Sequence, residues 1–257
     1  MLWFFLLACA NTPDAPESFL SKSPDQQIGT TGSGNSEQAG FSPGANVSVD
    51  GVAHQADWDD GDTFSYVDAA SQKKIKARLS GFNTLESYGP VHRWGDWTGD
   101  ELYWLAKKAG ERAQKGQWRC EVISNNCGYG RICVACPDLQ KVLLEEGLAH
   151  LFSMDEEADE AMQAVQQKAQ EAGAGMWAKG VPTQLVTSLH SLDEREGQTQ
   201  TYNRLISTKT GLSTKLKHAE TFEACSWVCP TDSCMLYVPY SSRYGENQAE
   251  CLQVKAP

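Results

Sequence analysis

The sequence is poor in positive charge. It has 22 Lys and Arg residues against 33 Asp and Glu residues, which gives a formal net charge of −11. Proteins that hold nucleic acid by bulk electrostatics need an excess of Lys and Arg, because neutralising phosphates supplies most of the affinity. The composition excludes that class. The charge is unevenly distributed, however, because residues 60–150 contain 12 basic and 12 acidic residues, and a local cationic pocket is compatible with that stretch.

Long apolar runs are also scarce. The longest one, "MLWFFLLAC", ends at Cys9 and is too short to span a bilayer as a helix. Its last residues, Leu6 to Cys9, resemble the lipobox at which bacterial lipoprotein precursors are cleaved and lipidated, although no basic residue precedes the run. We therefore expect an exported protein that is either anchored to a membrane of the bacterial cell envelope through a lipid on Cys9 or secreted. The alternative is a frayed apolar end with a free thiol.

Histidine is rare, and no two of the 5 histidines have metal-binding spacing. Cysteine is not rare, and apart from Cys9 it occurs in two groups of four: Cys120, Cys127, Cys133 and Cys136, then Cys225, Cys229, Cys234 and Cys251. Even groups in an exported chain predict two structural disulfides each. A zinc site in the first group is the alternative, but its ligand spacing is irregular. Cys120 and Cys133 lie on neighbouring predicted strands, so their pairing is plausible.

Composition divides the chain into four parts. Residues 1–9 are the apolar signal remnant, and residues 10–46 are rich in Ser, Pro, Gly, Asn and Gln, which is typical of a flexible linker. Residues 47–187 carry alternating apolar patterns and form the predicted main domain. Residues 188–257 hold four cysteines and few apolar runs, which predicts a small disulfide-held appendage.

Periodicity predicts an α+β domain. "DTFSYVD" and "KIKARLSGF" read as strands, and the second places Arg78 on its polar face. Thr98 and Glu101 have capping-box spacing before a helix that stops at Gly116. Two further strands, "QWRCEVI" and "GRICVAC", precede a short helix and a longer one over residues 154–172. This order suggests a small β-barrel flanked by helices, for which an OB-like closure is one solution among other α+β folds.

Two stretches suggest a phosphate and cation site. "DGDTF" at residues 60–64 is a turn with a second acid, and "ARLSGFNTLES" follows with Arg78 and Glu86 eight residues apart. Asp62, the Asn83 amide oxygen and the backbone carbonyl of Thr84 are oxygen donors that suit a hard cation. Arg78 suits a phosphate, and Glu86 suits a base or water-orienting group. The alternative is an ordinary Asp-Gly turn beside a solvated strand arginine.

Taken in order, "DGDT", "RLSGFNTLE", "YGR", "EEGLA" and "AGAGMWA" resemble the staphylococcal nuclease, or thermonuclease, family from about residue 47 to residue 180. The resemblance implies a five-stranded OB-fold β-barrel with three flanking helices and Ca²⁺-dependent cleavage of DNA or RNA. It also implies site roles: a Ca²⁺ ligand set of Asp62, Asn83 and Thr84, catalytic roles for Arg78, Glu86 and Arg131, and a substrate contact for Tyr129.

The sequence departs from the family pattern at two places. Asn83 stands where the family has a second Ca²⁺ aspartate, so one negative charge is missing and cation affinity should fall. Ser153 and Asp155 stand where the family has tyrosines of the nucleotide pocket. A catalytically weak or inactive OB-fold module that binds nucleic acid or a protein at the cell surface is therefore the alternative to a nuclease.

The remaining expectations concern partners and aromatic residues. We expect a DNA or RNA substrate, no protein partner and a monomer. Three tryptophans are candidates for a base-stacking platform. Trp104, at helical spacing, is expected in the core, while the loop residues Trp94 and Trp97 are undecided.

Overall fold

The computed structural model describes residue 41 and residues 44–254, so Cys9 and most of the predicted linker lie outside the described residues. Seven short strands precede the first helix: β1 Val47–Val49, β2 Val52–His54, β3 Ala56–Trp58, β4 Thr63–Val67, β5 Lys74–Leu79, β6 Gly81–Thr84 and β7 His92–Trp94. Three more complete the first half: β8 Trp118–Ser124, β9 Ile132–Ala135 and β10 Ala149–Phe152.

Seven strands form one curved sheet in the order β2-β1-β8-β9-β5-β4-β3, and β6 pairs with β10 in a separate two-stranded sheet. β1 runs parallel to β8 and β5 runs parallel to β9, while the other pairs in the sheet are antiparallel. The result is a nearly closed barrel with three α-helices. The expected α+β OB-type fold is confirmed.

Three helices flank the barrel: α1 Gly99–Lys115, α2 Pro137–Glu145 and α3 Glu160–Glu171. Thr98 and Glu101 form the predicted capping box, and α1 ends at Gly116 as expected. The prediction for α3 was wrong at its start, because the helix begins at Glu160 with Asp159 as its N-cap. Residues 154–158 are held instead by bonds to the C-terminal region, where the Ala158 N–H donates to the Thr210 carbonyl at 2.9 Å.

The barrel core follows the alternation of its strands. On β5, Ala77 and Leu79 are buried while Lys74 and Lys76 are exposed, and Arg78 on the polar face is half-buried. Phe64, Phe82 and Leu151 are among the largest fully buried side chains, and three leucines of α2 pack into the same cluster. This packing fixes β4, β5 and β6, the three strands that carry the candidate site.

The C-terminal region contains five strands: β11 Gln184–Ser188, β12 Thr201–Ser207, β13 Ser213–His218, β14 Ser226–Val228 and β15 Ser233–Tyr237. β11, β12 and β13 form an antiparallel sheet. β15 pairs with β14 on one side and with β7 on the other, in the register that places Met235 opposite His92. The C-terminal region therefore shares a sheet with a strand that precedes α1.

The eight cysteines among the described residues form four disulfides, Cys120–Cys136, Cys127–Cys133, Cys225–Cys251 and Cys229–Cys234. The suggested Cys120–Cys133 pairing was wrong. The β8–β9 register places Glu121 opposite Ala135 and Val122 opposite Val134, so Cys120 comes next to Cys136, whereas Cys133 lies opposite Ser124 beyond a register shift. Separately, the helices in the described part of the chain include none with the length and apolar character needed to cross a bilayer.

Candidate active site

The turn before β4 and the ends of β5 and β6 bring the predicted site residues together. The β4–β5 register places Thr63 opposite Arg78, and the Leu79 N–H donates to the Asp62 carbonyl at 2.9 Å. β6 follows β5 after a single residue, so Asn83 and Thr84 lie close to Asp62 and Arg78. The spacing of these residues in the sequence had already suggested that they lie together.

Asp62 is the best-anchored acid of the site, with only 2% of its surface exposed. One carboxylate oxygen accepts the Thr84 backbone N–H at 2.7 Å and the Thr84 hydroxyl at 3.2 Å. The other oxygen accepts the Thr63 hydroxyl at 3.1 Å and forms an ion pair with Arg78. All four acceptor positions of the carboxylate therefore have donors.

Arg78 bridges the turn and β6. Besides its ion pair with Asp62, one terminal nitrogen donates to the Thr63 hydroxyl at 3.2 Å and the other to the Asn83 side-chain oxygen at 2.6 Å. Burial lowers the pKa of Arg78, and the nearby carboxyls of Asp60 and Glu86 oppose that shift. Arginine keeps its charge over the accessible pH range. Arg78 is thus a fixed cation whose neighbours are acidic or polar.

Two carboxyl groups beside Arg78 have raised pKa values. Burial is the main cause for Asp60, and the positive charges of Arg78 and Arg131 partly offset it. Burial also raises the pKa of Glu86, the charge of Asp60 adds to that shift, and Arg78 and Arg243 counter it. A carboxyl with a raised pKa is a stronger base, which suits it to accept a proton from water.

Arg131 and Tyr129 lie on the turn between β8 and β9, which the Cys127–Cys133 disulfide closes. Tyr129 has a positive φ of 53° and is 96% exposed, and the Arg131 guanidinium lies 5.4 Å from the centre of its ring. Arg131 immediately precedes β9, which runs beside β5, and its charge lowers the pKa of Arg78. The second arginine therefore lies on the turn beside β5, close enough for its charge to act on Arg78.

Two buried histidines support β6 and the segment that follows it. The Glu86 backbone N–H donates to Nε2 of His92 at 3.2 Å, and His150 lies opposite Asn83 in the β6–β10 pair. Burial lowers the pKa of His92 to about 3 and that of His150 to about 4. Both rings are therefore neutral at pH 7 and support the backbone around the site.

One tryptophan expectation was wrong, and the structure now places the two tryptophans that had been undecided. Trp104 is 41% exposed on α1 and does not belong to the core. Trp94 is buried, and its indole N–H donates to the Gly180 carbonyl at 3.0 Å. Trp97 is partly buried and donates to the Met176 carbonyl at 2.8 Å. Trp94 and Trp97 fasten β7 and the start of α1 to the segment after α3, so neither presents a free face.

The local sequence did not predict that some of the residues near the site belong to it. Asp60 was noticed only as half of a turn, yet it accepts the Asp62 backbone N–H at 3.0 Å and its charge affects both Arg78 and Glu86. Arg243 and Tyr244 come from the C-terminal region, and the charge of Arg243 lowers the pKa of Glu86. Only the tertiary pairing of β15 with β7 brings these two residues near the barrel.

The donor set is chemically compatible with a hard cation. Asp62 and Asp60 supply carboxylate oxygens, and Asn83 supplies an amide oxygen, all of which are typical Ca²⁺ ligands. The described residues contain no group of three or more His, Cys, Asp and Glu side chains arranged to hold a metal. Because Asp62 and Asn83 both engage Arg78, the residues fit the ion only if Arg78 releases at least one of them.

A nearly closed barrel with three helices, which carries an arginine paired with an acid near the end of β5, defines an α+β domain of the OB-fold type. Residues 67–179 match the family of staphylococcal nuclease homologues, and the chain thus carries a staphylococcal nuclease-like domain. The matched segment spans somewhat under half of the chain and begins after the turn that holds Asp62. A search of curated proteins gave no match.

Proposed function

We propose that this chain is a Ca²⁺-dependent phosphodiesterase that hydrolyses DNA or RNA outside the cytoplasm. The observation that carries the proposal is the meeting of Arg78, Asp62 and Glu86 at one end of the barrel, with Arg131 facing them. Hydrolysis of a phosphodiester needs fixed positive charge for the phosphoryl oxygens and a base beside the attacking water. This cluster contains both.

Each side chain has a role that follows from its chemistry. Arg78 and Arg131 bind the scissile phosphate, and their charge stabilises the negative charge that grows on its oxygens. Glu86 accepts a proton from the water that attacks phosphorus, so a new P–O bond forms as the bond to the leaving oxygen breaks. Tyr129, with its exposed ring, contacts the bound nucleotide.

Asp62, Asn83 and the Thr84 carbonyl are the residues that would hold Ca²⁺. When bound, the ion supplies a second positive charge beside the phosphate. Incoming phosphate offers Arg78 a new partner, which would free oxygens of Asp62 and Asn83 for the cation. The ion pair and the amide contact of Arg78 thus keep the acidic pocket neutralised until substrate and cation arrive together.

Replacement of the proposed base tests this function. Glu86→Gln should lower the release of acid-soluble nucleotides from single-stranded DNA by roughly a hundredfold or more, because the amide cannot accept the proton. Glu111→Gln is the matched control, since Glu111 is an exposed residue of α1 that pairs with Lys115. Cleavage by the unmodified chain should stop when a chelator removes Ca²⁺. Full activity of folded Glu86→Gln protein would contradict the assignment.

A second function is favoured by one observation. Asp62 and Asn83 are both engaged by Arg78, and Asn83 lacks the charge of an aspartate, which is the arrangement expected of a barrel that no longer binds the cation productively. In that case the domain is a catalytically weak or inactive OB-fold module that binds nucleic acid or a protein at the cell surface. A folded chain that binds oligonucleotide but cuts none at millimolar Ca²⁺ would support this alternative.

We also propose that the protein works outside the cytoplasm, as a monomer held to the cell envelope by a lipid on Cys9 or as a secreted protein. Four disulfides among the described residues support an oxidising compartment. Cys9 itself lies outside the described residues. Mass spectrometry of the membrane fraction for a diacylglyceryl-modified Cys9 tests the anchor.

A further inference from the structure

A C-terminal segment covers the loop that directly follows Glu86. This segment, residues 238–252, leaves β15 and returns over residues 87–90. The Gln248 side-chain amide donates to the Tyr88 carbonyl at 3.1 Å. Leu252 also packs tightly on Gly89, since a Cβ atom at Gly89 would lie only 2.7 Å from a methyl carbon of Leu252. The Cys225–Cys251 disulfide ties the end of the segment to the residue before β14.

Arg243 and Tyr244 pack on the same loop residue. The Arg243 guanidinium lies 5.1 Å from the centre of the Tyr88 ring, and its Nε donates to the Val238 carbonyl at 2.9 Å. Tyr244 meets Tyr88 edge to face, with ring centres 5.8 Å apart. Tyr88 is only two residues from Glu86, so both C-terminal side chains pack on the loop that begins at the proposed base.

The electrostatics agree with this placement. Burial raises the pKa of Tyr244 and the charges of Glu86 and Asp60 add to that shift, while the positive charge of Arg243 partly counters the raised pKa of Glu86. Charges influence one another in this way only over short distances. The C-terminal segment thus lies within the same electrostatic environment as the proposed catalytic acids.

The segment presents aromatic surface to solvent at this position. Tyr240 is 76% exposed and Tyr244 is 57% exposed, and their ring centres lie 6.2 Å apart at an interplanar angle of 69°. Exposed aromatic rings close to arginine side chains that can bind phosphate are the features with which proteins bind unpaired nucleobases, since each base stacks on a ring irrespective of sequence.

We propose that the C-terminal segment completes the substrate site: Tyr240 and Tyr244 stack on a nucleobase next to the scissile phosphate, and Arg243 binds a phosphate on the same side. The inference rests on the proposed function for its substrate class, nucleic acid with accessible bases. It assigns binding to residues outside the matched nuclease-like segment.

The test compares two substrates with the same backbone. One is a short single-stranded oligodeoxynucleotide, and the other is the same oligomer with abasic sites in place of its bases. Tyr244→Ala and Tyr240→Ala in the full chain should each raise KM for the base-bearing oligomer roughly tenfold and leave KM for the abasic oligomer unchanged. Tyr244→Phe should restore binding because it keeps the ring.

Arg243→Gln should behave differently from the tyrosine variants. Loss of a phosphate contact should raise KM for both oligomers alike and reduce the slope of log affinity against log salt by about one. Leu216→Ala removes an exposed apolar side chain on β13 and should change KM for neither oligomer. The inference is overturned if Tyr240→Ala and Tyr244→Ala leave KM unchanged or raise KM equally for the two oligomers.

Binding measurements separate this inference from the proposed function. Fluorescence anisotropy of the labelled oligomers with the full chain and with Glu86→Gln reports affinity without turnover. Base-dependent binding that Tyr244→Ala weakens, in a chain that cuts nothing, would overturn the nuclease function and support the stacking surface. Cleavage that proceeds with base-independent binding would support the nuclease and overturn the stacking surface.

Discussion

At the scale of single residues, Asn83 decides how strongly the site can bind a cation. Its side-chain oxygen is an uncharged amide oxygen that accepts a hydrogen bond from Arg78 at 2.6 Å, so Arg78 competes with a cation for this ligand. The positions of Asp62, Arg78, Asn83 and Thr84 relative to one another could be predicted from the sequence, because short β-connections fix which residues meet. The ion pair between Arg78 and Asp62 could not, since it depends on side-chain orientation.

Asn83→Asp should lower the Ca²⁺ concentration for half-maximal nuclease activity by roughly tenfold, because a carboxylate adds charge to the ligand set and draws Arg78 away from Asp62. The measurement is release of acid-soluble nucleotides across a Ca²⁺ titration. Asn125→Asp is the control, since Asn125 is exposed on the β8–β9 turn. An unchanged Ca²⁺ requirement in Asn83→Asp would count against the ligand role of this position.

His92 makes the stability of the site sensitive to acid. Its folded-state pKa of about 3 lies below the ordinary value of 6.5, so the unfolded chain binds a proton that the folded chain rejects. This contribution to stability is complete above pH 6.5 and is lost as the pH falls toward 3. The slope from one such histidine approaches about 1.4 kcal/mol per pH unit.

His92→Gln should therefore flatten the pH dependence of the free energy of unfolding between pH 6 and pH 4 by up to about 1 kcal/mol per pH unit. The glutamine oxygen can still accept the Glu86 N–H, and it does not titrate. Urea denaturation with the disulfides intact gives the slope, and His190→Gln, at a half-buried ring that contacts Glu194, is the control. Equal slopes for His92→Gln and the unmodified chain would disprove the role of His92.

At the scale of elements, prediction succeeded where the signal was local. Residues close together in the sequence were enough to predict the capping box of α1, the alternating burial along β5 and the two strands around the Asn-rich turn. The start of α3 was misplaced because residues 155–157 carry acids that suit a helix N-terminus, yet the chain there bonds to the Thr210 loop. The Cys120–Cys136 bridge likewise depends on the register of β8 against β9, which no local sequence pattern reveals.

At the scale of the whole molecule, β15 joins the C-terminal region to the nuclease-like domain. Met235 lies opposite His92 in the strand pair, and the Leu236 N–H donates to the Val91 carbonyl at 2.8 Å. Tyr88 and Val91 belong to the same buried cluster as Leu205, Leu236 and Leu252. Composition suggested a division near residue 187, but composition cannot reveal a strand pair between segments so far apart in the chain.

The shared sheet predicts that the two regions do not fold independently. A chain that ends at residue 187 would expose one edge of β7 and the apolar surfaces of Tyr88 and Val91. Each large apolar side chain that loses its cover costs about 1.5–3 kcal/mol, so the fragment 44–187 should be less stable than 44–257 by roughly 3 kcal/mol or more. Urea denaturation followed by tryptophan fluorescence measures the difference. Equal midpoints for the two fragments would mean that the barrel is autonomous and that the C-terminal region is a separate appendage. A lower midpoint for the fragment 44–187 would mean that the loop after Glu86 depends on the C-terminal region for its conformation.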